Sequence, residues 1–371
     1  MIDFPSSPTV GQQFTAVGVT WQWDGVKWVP SGSTASLAQV VNPNLLDNGD
    51  FWVDQHNSGS PVGVPVNVWT VPCDRWGMIT TARAILSAGQ NYSVLTKAPG
   101  FQYFLGVQVT GTGAAAVVGE QNFLYEGIEF DAFSDLGWGT ANGQPATLSF
   151  WVNCSVTGNF NVTVQGQISP YRFYPTTYNV PTANVWTKIT IPVPADAMVS
   201  STNWTGPGNA PGMTVLFDFG CGSDSYVSTG NVWQNNTTKI FLSGSKQLVA
   251  TSNAKWAITG VKLEKGAVAT AFPEQDLTTK LARCQRYYQT GEIGFASSTT
   301  LHGNYFISTL FPVAMRATPT CVTLYDYSAN VSGITLGPVA APTAGLYLQG
   351  TPVSVPGGFI VDQYYSASAE I

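Results

Sequence analysis

The sequence predicts a mainly β protein: an N-terminal β-hairpin, a central antiparallel jelly-roll sandwich, one connecting helix and a small C-terminal β domain. Three observations carry this. Several segments between residues 44 and 270 alternate apolar and polar side chains with a period of two, the signature of a strand with one buried face. Gly, Pro and Asn punctuate those segments as turn formers. Only 10% of residues are charged while 12% are aromatic, against roughly 25% charged in an ordinary globular chain. A disordered chain lacks aromatic and β-branched residues, so disorder is excluded.

Residues 1–30 read as a docking hairpin. Trp21 and Trp23 alternate on one strand, Asp24-Gly25 is a type I′ turn dipeptide, and Trp28 returns on the next strand. A lone hairpin is marginal in water, so these tryptophans are expected to be covered by another copy, a docking platform or the following domain. Residues 31–43 form a linker, flexible over Pro30–Ser36, with a short turn or strand at Leu37–Val41.

Residues 44–270 are the main body. Leu148, Phe150, Val152, Cys154 and Val156 share one face of a strand, with Thr147, Ser149, Asn153 and Ser155 on the other. Ile189, Ile191 and Val193 repeat the pattern, as do Met213, Val215, Phe217 and Phe219. Ala257, Val261 and Leu263 lie opposite Lys262 and Glu264. This length fits a jelly roll better than an immunoglobulin-type domain, which closes in about 100 residues.

Residues 271–290 are expected to be a connector helix. Pro273 suits a first turn, and Glu274 and Asp276 complement the positive helix end. Leu277, Leu281, Cys284 and Tyr288 make one apolar stripe, with Lys280, Arg283 and Arg286 toward the C-terminal end. Residues 291–371 return to short strands. No periodic repeat supports a solenoid.

The net charge of −6 argues against a nucleic-acid partner, which requires a basic patch. No apolar run is long enough to span a membrane, and the first ten residues lack the basic flank and apolar run of an export signal. Cys73, Cys154, Cys221, Cys284 and Cys321 are scattered, without a CxxC pair, and are expected to be mostly buried free thiols.

Catalysis finds little support in the sequence. A glycosidase needs two carboxylates facing one groove. In the carboxylate-rich stretch, Glu126 and Glu129 would fall on opposite faces of a strand, and Asp131 and Asp135 in a loop. His56 and His302 sit in turns without a neighbouring nucleophile. No catalytic residue is assigned, and the protein is expected not to be an enzyme. Sugar binding asks for aromatic faces with amides and hydroxyls around them. The candidates are Tyr171, Arg172, Tyr174 and Tyr178 on one Pro-bounded segment, and Trp138, Trp204 and Trp233 in loops. Aromatic residues also fill cores and subunit interfaces, whereas Trp76, Trp151, Trp186 and Trp256 lie within strands as packing residues.

Three stretches then carry a resemblance. They are Asn44-Leu-Leu-Asp-Asn-Gly-Asp-Phe51 with Asp74-Arg75-Trp76; Ile258-Thr-Gly-Val-Lys-Leu-Glu-Lys-Gly266 with Phe272-Pro-Glu274 and Cys284-Gln-Arg-Tyr-Tyr288; and Phe311-Pro-Val-Ala-Met-Arg-Ala-Thr-Pro319 with the closing Ala369-Glu370-Ile371. In order and spacing, residues 40–371 resemble tail-fibre and appendage proteins of tailed bacteriophages. In that family the central region is similar to jelly-roll carbohydrate-binding modules.

The resemblance implies a structural protein on the virion exterior: a tail fibre contacting host surface polysaccharide, or a head-decoration, collar or neck fibre with a structural or weakly adhesive role. It implies a homotrimer that contacts other virion proteins, through a hairpin in which Trp21, Trp23 and Trp28 mediate docking or self-association. Release by lysis would account for an extracellular composition without an export signal. Such modules often carry a structural calcium between first and last strand. Here Asp47, Asn48 and Asp50 are the oxygen donors, but Trp52 replaces the family's acidic residue and Thr259-Gly260 stands where another would help. No other cofactor is implied.

Overall fold

The computed structural model describes residues 4–16, 19–23, 25–30, 44–93, 96–169, 171–197, 202–235, 238–297, 305–339, 342–353 and 359–370. The linker at 31–43, with Leu37–Val41, lies outside these residues, as do Asp24 and His302.

The N-terminal unit is a three-stranded antiparallel sheet, β1 (Gln13–Ala16), β2 (Val19–Trp23) and β3 (Trp28–Pro30), one strand more than the expected hairpin. The extra strand gives the tryptophans partners of their own. Phe4 packs edge-on to Trp21 at 5.3 Å and stacks on Trp28 at 5.5 Å, and Trp23 meets Trp28 across the β2–β3 pair. All three tryptophans are half-buried.

The main body contains β4 (Val62–Gly63), β5 (Thr70–Cys73), β6 (Trp76–Thr80), β7 (Leu86–Gln90), β8 (Leu105–Val109), β9 (Asn122–Glu129), a short helix α1 (Phe130–Phe133), β10 (Ala146–Cys154), β11 (Gly158–Gly166), β12 (Arg172–Val180), β13 (Thr187–Val193), β14 (Pro211–Asp218), β15 (Tyr226–Val227), β16 (Gln234–Asn235), β17 (Phe241–Leu242) and β18 (Lys255–Lys265). Apart from β15 and β17, which pair with each other, the strands form a jelly-roll sandwich. One sheet has the order β13-β10-β18-β8-β7-β4 and the other β16-β12-β11-β14-β9-β6-β5. The alternation read from sequence has its physical cause here: Leu148, Phe150, Val152 and Cys154 face Met213, Val215, Phe217 and Phe219 across a core that also holds Trp76 and Trp256.

The last strand, β18, lies centrally in the six-stranded sheet, and the first segment of the body is sewn to it. Asn44 donates its side-chain amide to the Val261 carbonyl and accepts the Leu263 N–H at 3.0 Å. At Gly49 a Cβ would fall 2.0 Å from the Val261 carbonyl oxygen, so only glycine permits this approach. Lys262 and Glu264, on the face away from the core, are buried as well. Their ion pair (2.9 Å) is capped by Thr270, because the chain folds back over the strand.

The helix is shorter than its sequence pattern. Helix α2 (Leu277–Gln285) starts at Asp276, whose carboxylate accepts the Thr279 N–H at 3.0 Å as an N-cap. Pro273 and Glu274 precede it. Tyr288 leaves the apolar stripe to begin β19 (Tyr288–Ser297), whose ten-residue pairing with β24 (Phe359–Ser368) replaces further helix. Leu277 is exposed, and Cys284 is the stripe's buried anchor. Between these strands lie β20 (Tyr305–Leu310), β21 (Thr320–Asp326), β22 (Val331–Pro338) and β23 (Gly345–Pro352). Two three-stranded sheets, β19-β24-β21 and β20-β23-β22, enclose a separate core around Phe311, Leu346, Leu348 and Val361. All five cysteines are free thiols, with Cys321 alone half-exposed.

Candidate functional site

The outer face of the seven-stranded sheet is apolar too. On β9, Leu124 and Ile128 point into the sandwich while Phe123 and Tyr125 point away from it. Ile79, Phe173, Leu216, Ile240 and Phe241 join Phe123 in a second cluster, against which Tyr226 also packs. The rest of the face is open, a groove of about 860 Å³. It runs from Tyr171 and Phe173 at β12 to Trp69 and Val71 at β5. That is five interstrand steps of about 4.8 Å, or about 24 Å. One wall is Asp224, Ser225 and Thr238; the other is Pro211 with Ser368 and Glu370 from the chain's C-terminal end. Gln121, Gln165 and Gln167 bring amides to its surface.

Trp69 is 60% exposed and meets Tyr125 edge-on at 5.0 Å. Burial, with Glu370 close by, pushes the Tyr125 phenol up to about 12, so it stays a neutral donor throughout the physiological range. Aromatic faces flanked by amides, hydroxyls and carboxylates can hold a polyol: the rings cover C–H surface, and the polar groups pair with hydroxyls.

Of the seven sugar-binding candidates from the sequence, Tyr171 lines this groove. Five others, Trp138, Arg172, Tyr174, Tyr178 and Trp204, are buried outside it. Trp138 and Trp204 form an edge-to-face trio with half-buried Trp233, ring centroids 5.0–5.3 Å apart. Arg172 makes a two-pronged ion pair with Asp196, which also accepts the Trp204 indole N–H. Tyr174 packs on Trp233 at 5.4 Å, and Tyr178 accepts the Trp256 indole N–H in the core. The loop residues Trp138 and Trp204 are buried because they join the main apolar core, with Trp233 packed against it, a pairing no local pattern announces. The residues missed, Trp69 and Tyr125, did leave a trace: Phe123-Leu124-Tyr125 is apolar on both strand faces, so the second face needs a cover or a ligand.

The stretches that carried the resemblance converge elsewhere, on one junction. Arg75 binds Glu370 at 2.7 Å, Asp47 at 3.4 Å and the Gly127 carbonyl, with Tyr287 stacked on its guanidinium. Glu129 receives Arg286 and Arg316. Asp74 takes the His56 ring and Gln55, and His56 stacks on Tyr288. The junction joins sandwich, helix and C-terminal sheets.

The calcium donors sit in this junction and do not fit the ion. Asp47 faces Arg283 as well as Arg75, Asp50 is paired with Lys280, and the Asn48 oxygen accepts the Val53 N–H. Protein cations stand where a metal would have to bind, and Ca²⁺ needs six or more oxygens. Among the described residues no group of three or more His, Cys, Asp or Glu is placed to hold a metal. No helix among them is long and apolar enough to cross a membrane.

No protein-family model matches the chain, and no curated protein matches it. Among solved structures it is similar to the enzymatically active domain of tailspike protein 4 of bacteriophage CBA120, at 13% identity and a TM-score of 0.31 over 60% of this chain and 21% of that one. The chain thus spans about a fifth of that tailspike domain. It is also similar to a CBM4 domain (12%, TM-score 0.30, 59% of this chain and 99% of the other) and to the CBM22-1 xylan-binding domain of Paenibacillus barcinonensis Xyn10C (10%, TM-score 0.29, 62% and 97%). Likenesses this distant add nothing to what the strands and the groove show directly.

Proposed function

We propose that the protein binds a glycan in the groove on the seven-stranded sheet, as an exterior appendage of a tailed bacteriophage that contacts host surface polysaccharide. The observation that carries the glycan reading is the row of Trp69, Tyr125 and Tyr171 along a groove edged with amides and hydroxyls. The phage setting rests on the three sequence stretches. In this setting Trp21, Trp23 and Trp28 serve docking on other virion proteins. The protein acts by binding rather than catalysis: in the carboxylate-rich stretch Glu129 is held by two arginines, and Glu126 is buried 4.0 Å from Arg75.

The test is retardation of the full chain in native gels cast with host polysaccharides. Wild type is expected to be retarded. Trp69→Ala should lose about tenfold in affinity, the scale of one aromatic contact, with an unchanged melting temperature because Trp69 is exposed. Undiminished retardation of that variant would reject this groove.

A second reading, a head-decoration, collar or neck fibre built for assembly, is favoured by the C-terminal sheets. Strand β21 ends its sheet, and all its residues but Cys321 are exposed, including Val322, Leu324 and Tyr325. An unpaired apolar edge is a template for another strand, and a further copy of this chain, in the expected homotrimer, would fill it.

A further inference from the structure

The groove's charge is one-sided. Its described lining holds two carboxylates, Asp224 on one wall and Glu370 on the other, and no lysine or arginine. Lys239 is the sequence neighbour of Thr238 and Ile240 but does not belong to the lining. Behind the Glu370 wall stands Arg75, whose side chain is 1% exposed and engaged with Glu370, Asp47 and the Gly127 carbonyl. A ligand in the groove meets a carboxylate at each wall, Asp224 on one side and Glu370, paired with the buried Arg75, on the other, and no lysine or arginine among the described lining residues.

Both carboxylates are held in place. Asp224 accepts the Gly119 N–H at 3.0 Å, and Glu370 is fixed through Arg75, 295 positions away in sequence. Glu370 enters the site because the chain's last strand ends beside the groove. The C-terminal end is therefore part of the binding surface and not an appended domain alone.

We propose that the groove takes an uncharged glycan and rejects polyanionic ones such as uronic-acid or phosphate-bearing polysaccharides, with Glu370 and Asp224 as the specificity-determining residues. The proposal rests on the glycan reading above. The mechanism is like-charge repulsion at two fixed points in a half-enclosed site, where solvent screens less than in bulk. At contact distance each repulsion is worth about fivefold in affinity even in a water-like medium. A neutral polyol escapes it and gains acceptors for its hydroxyls.

The experiment is native-gel retardation at low salt with paired polysaccharides of one backbone, neutral and carboxylated. It compares wild type, Glu370→Gln, Asp224→Asn, the double variant and Trp69→Ala. Wild type should bind the neutral member, with the carboxylated one at least tenfold weaker. Each neutralised carboxylate should shift the ratio of acidic to neutral binding by about fivefold toward the acidic member at low salt. Asp224 is exposed, so its variant reports even if loss of the Arg75 pair destabilises Glu370→Gln. Equal or tighter wild-type binding of the acidic member, with Trp69→Ala abolishing both, would overturn the charge selection and leave the glycan reading standing. Retardation by no polysaccharide would overturn both.

Discussion

At the scale of single residues, burial decides role more sharply than residue type does. Trp69 and Trp204 are both flanked by turn-forming residues in the sequence. Trp69 stands out over the groove; Trp204 lies between Trp138 and Trp233 with its indole N–H on Asp196. Glu126 shows the same principle for charge. Its carboxyl is raised well above the usual carboxylate range, first by burial, with Asp47 adding and Arg75 opposing. A carboxyl raised in the folded state binds its proton more tightly there than in the unfolded chain. Its stabilising contribution is therefore fully present below an unfolded value of about 4.3 and is lost as pH rises above it. Glu126→Gln should remove that dependence. Thermal melts from pH 4 to 8 should show wild type losing stability relative to the variant as pH rises; parallel curves would show that Glu126 does not titrate in this window.

At the scale of elements, period-two alternation identified the strands because the sandwich buries one face of each in a common core. It understated β9, whose outer face is apolar and partly roofed by Tyr226, Ile240 and Phe241, and β18, whose outer face is covered by the chain returning through Thr270. Helix α2 follows its cap rather than its stripe: Asp276 begins it, and the β19–β24 ladder takes Tyr288 away from it. The exposed edge strand β21 carries a prediction of its own. If another copy pairs there, sedimentation of wild type should show an assembly, and Leu324→Lys should shift it toward monomer, since a charge on an edge blocks strand addition. A wild-type monomer at micromolar concentration would remove both the trimer and this edge as its contact.

At the scale of the whole molecule, the ion-pair junction makes the C-terminal end part of the groove wall. Glu129 pairs with both Arg286 and Arg316 while it is itself buried, so Glu129→Ala leaves the largely buried Arg316 without its carboxylate, on the Ala369 and Asn209 carbonyls alone. Breaking such a pair costs about 3 kcal/mol or more. Calorimetry of Glu129→Ala should show a lower melting temperature, with the C-terminal sheets melting ahead of the sandwich; a single unshifted transition would mean that the junction does not couple them.

The sequence alone determined the β class and the strand faces of the main body, since alternation and turn residues are local consequences of covering one face of each strand. It also named Tyr171 among its candidates, while Phe123-Leu124-Tyr125, apolar on both faces of β9, carried a trace that the alternation rule passes over. The resemblance stretches were legible as words but not as contacts. Only the tertiary structure decided that they meet at one junction, that Asp47 and Asp50 face arginine and lysine, and that Glu370 closes a groove it is far from in sequence. Those outcomes depend on pairs such as Arg75 with Glu370, 295 positions apart, and no period in the chain encodes a pairing at that range.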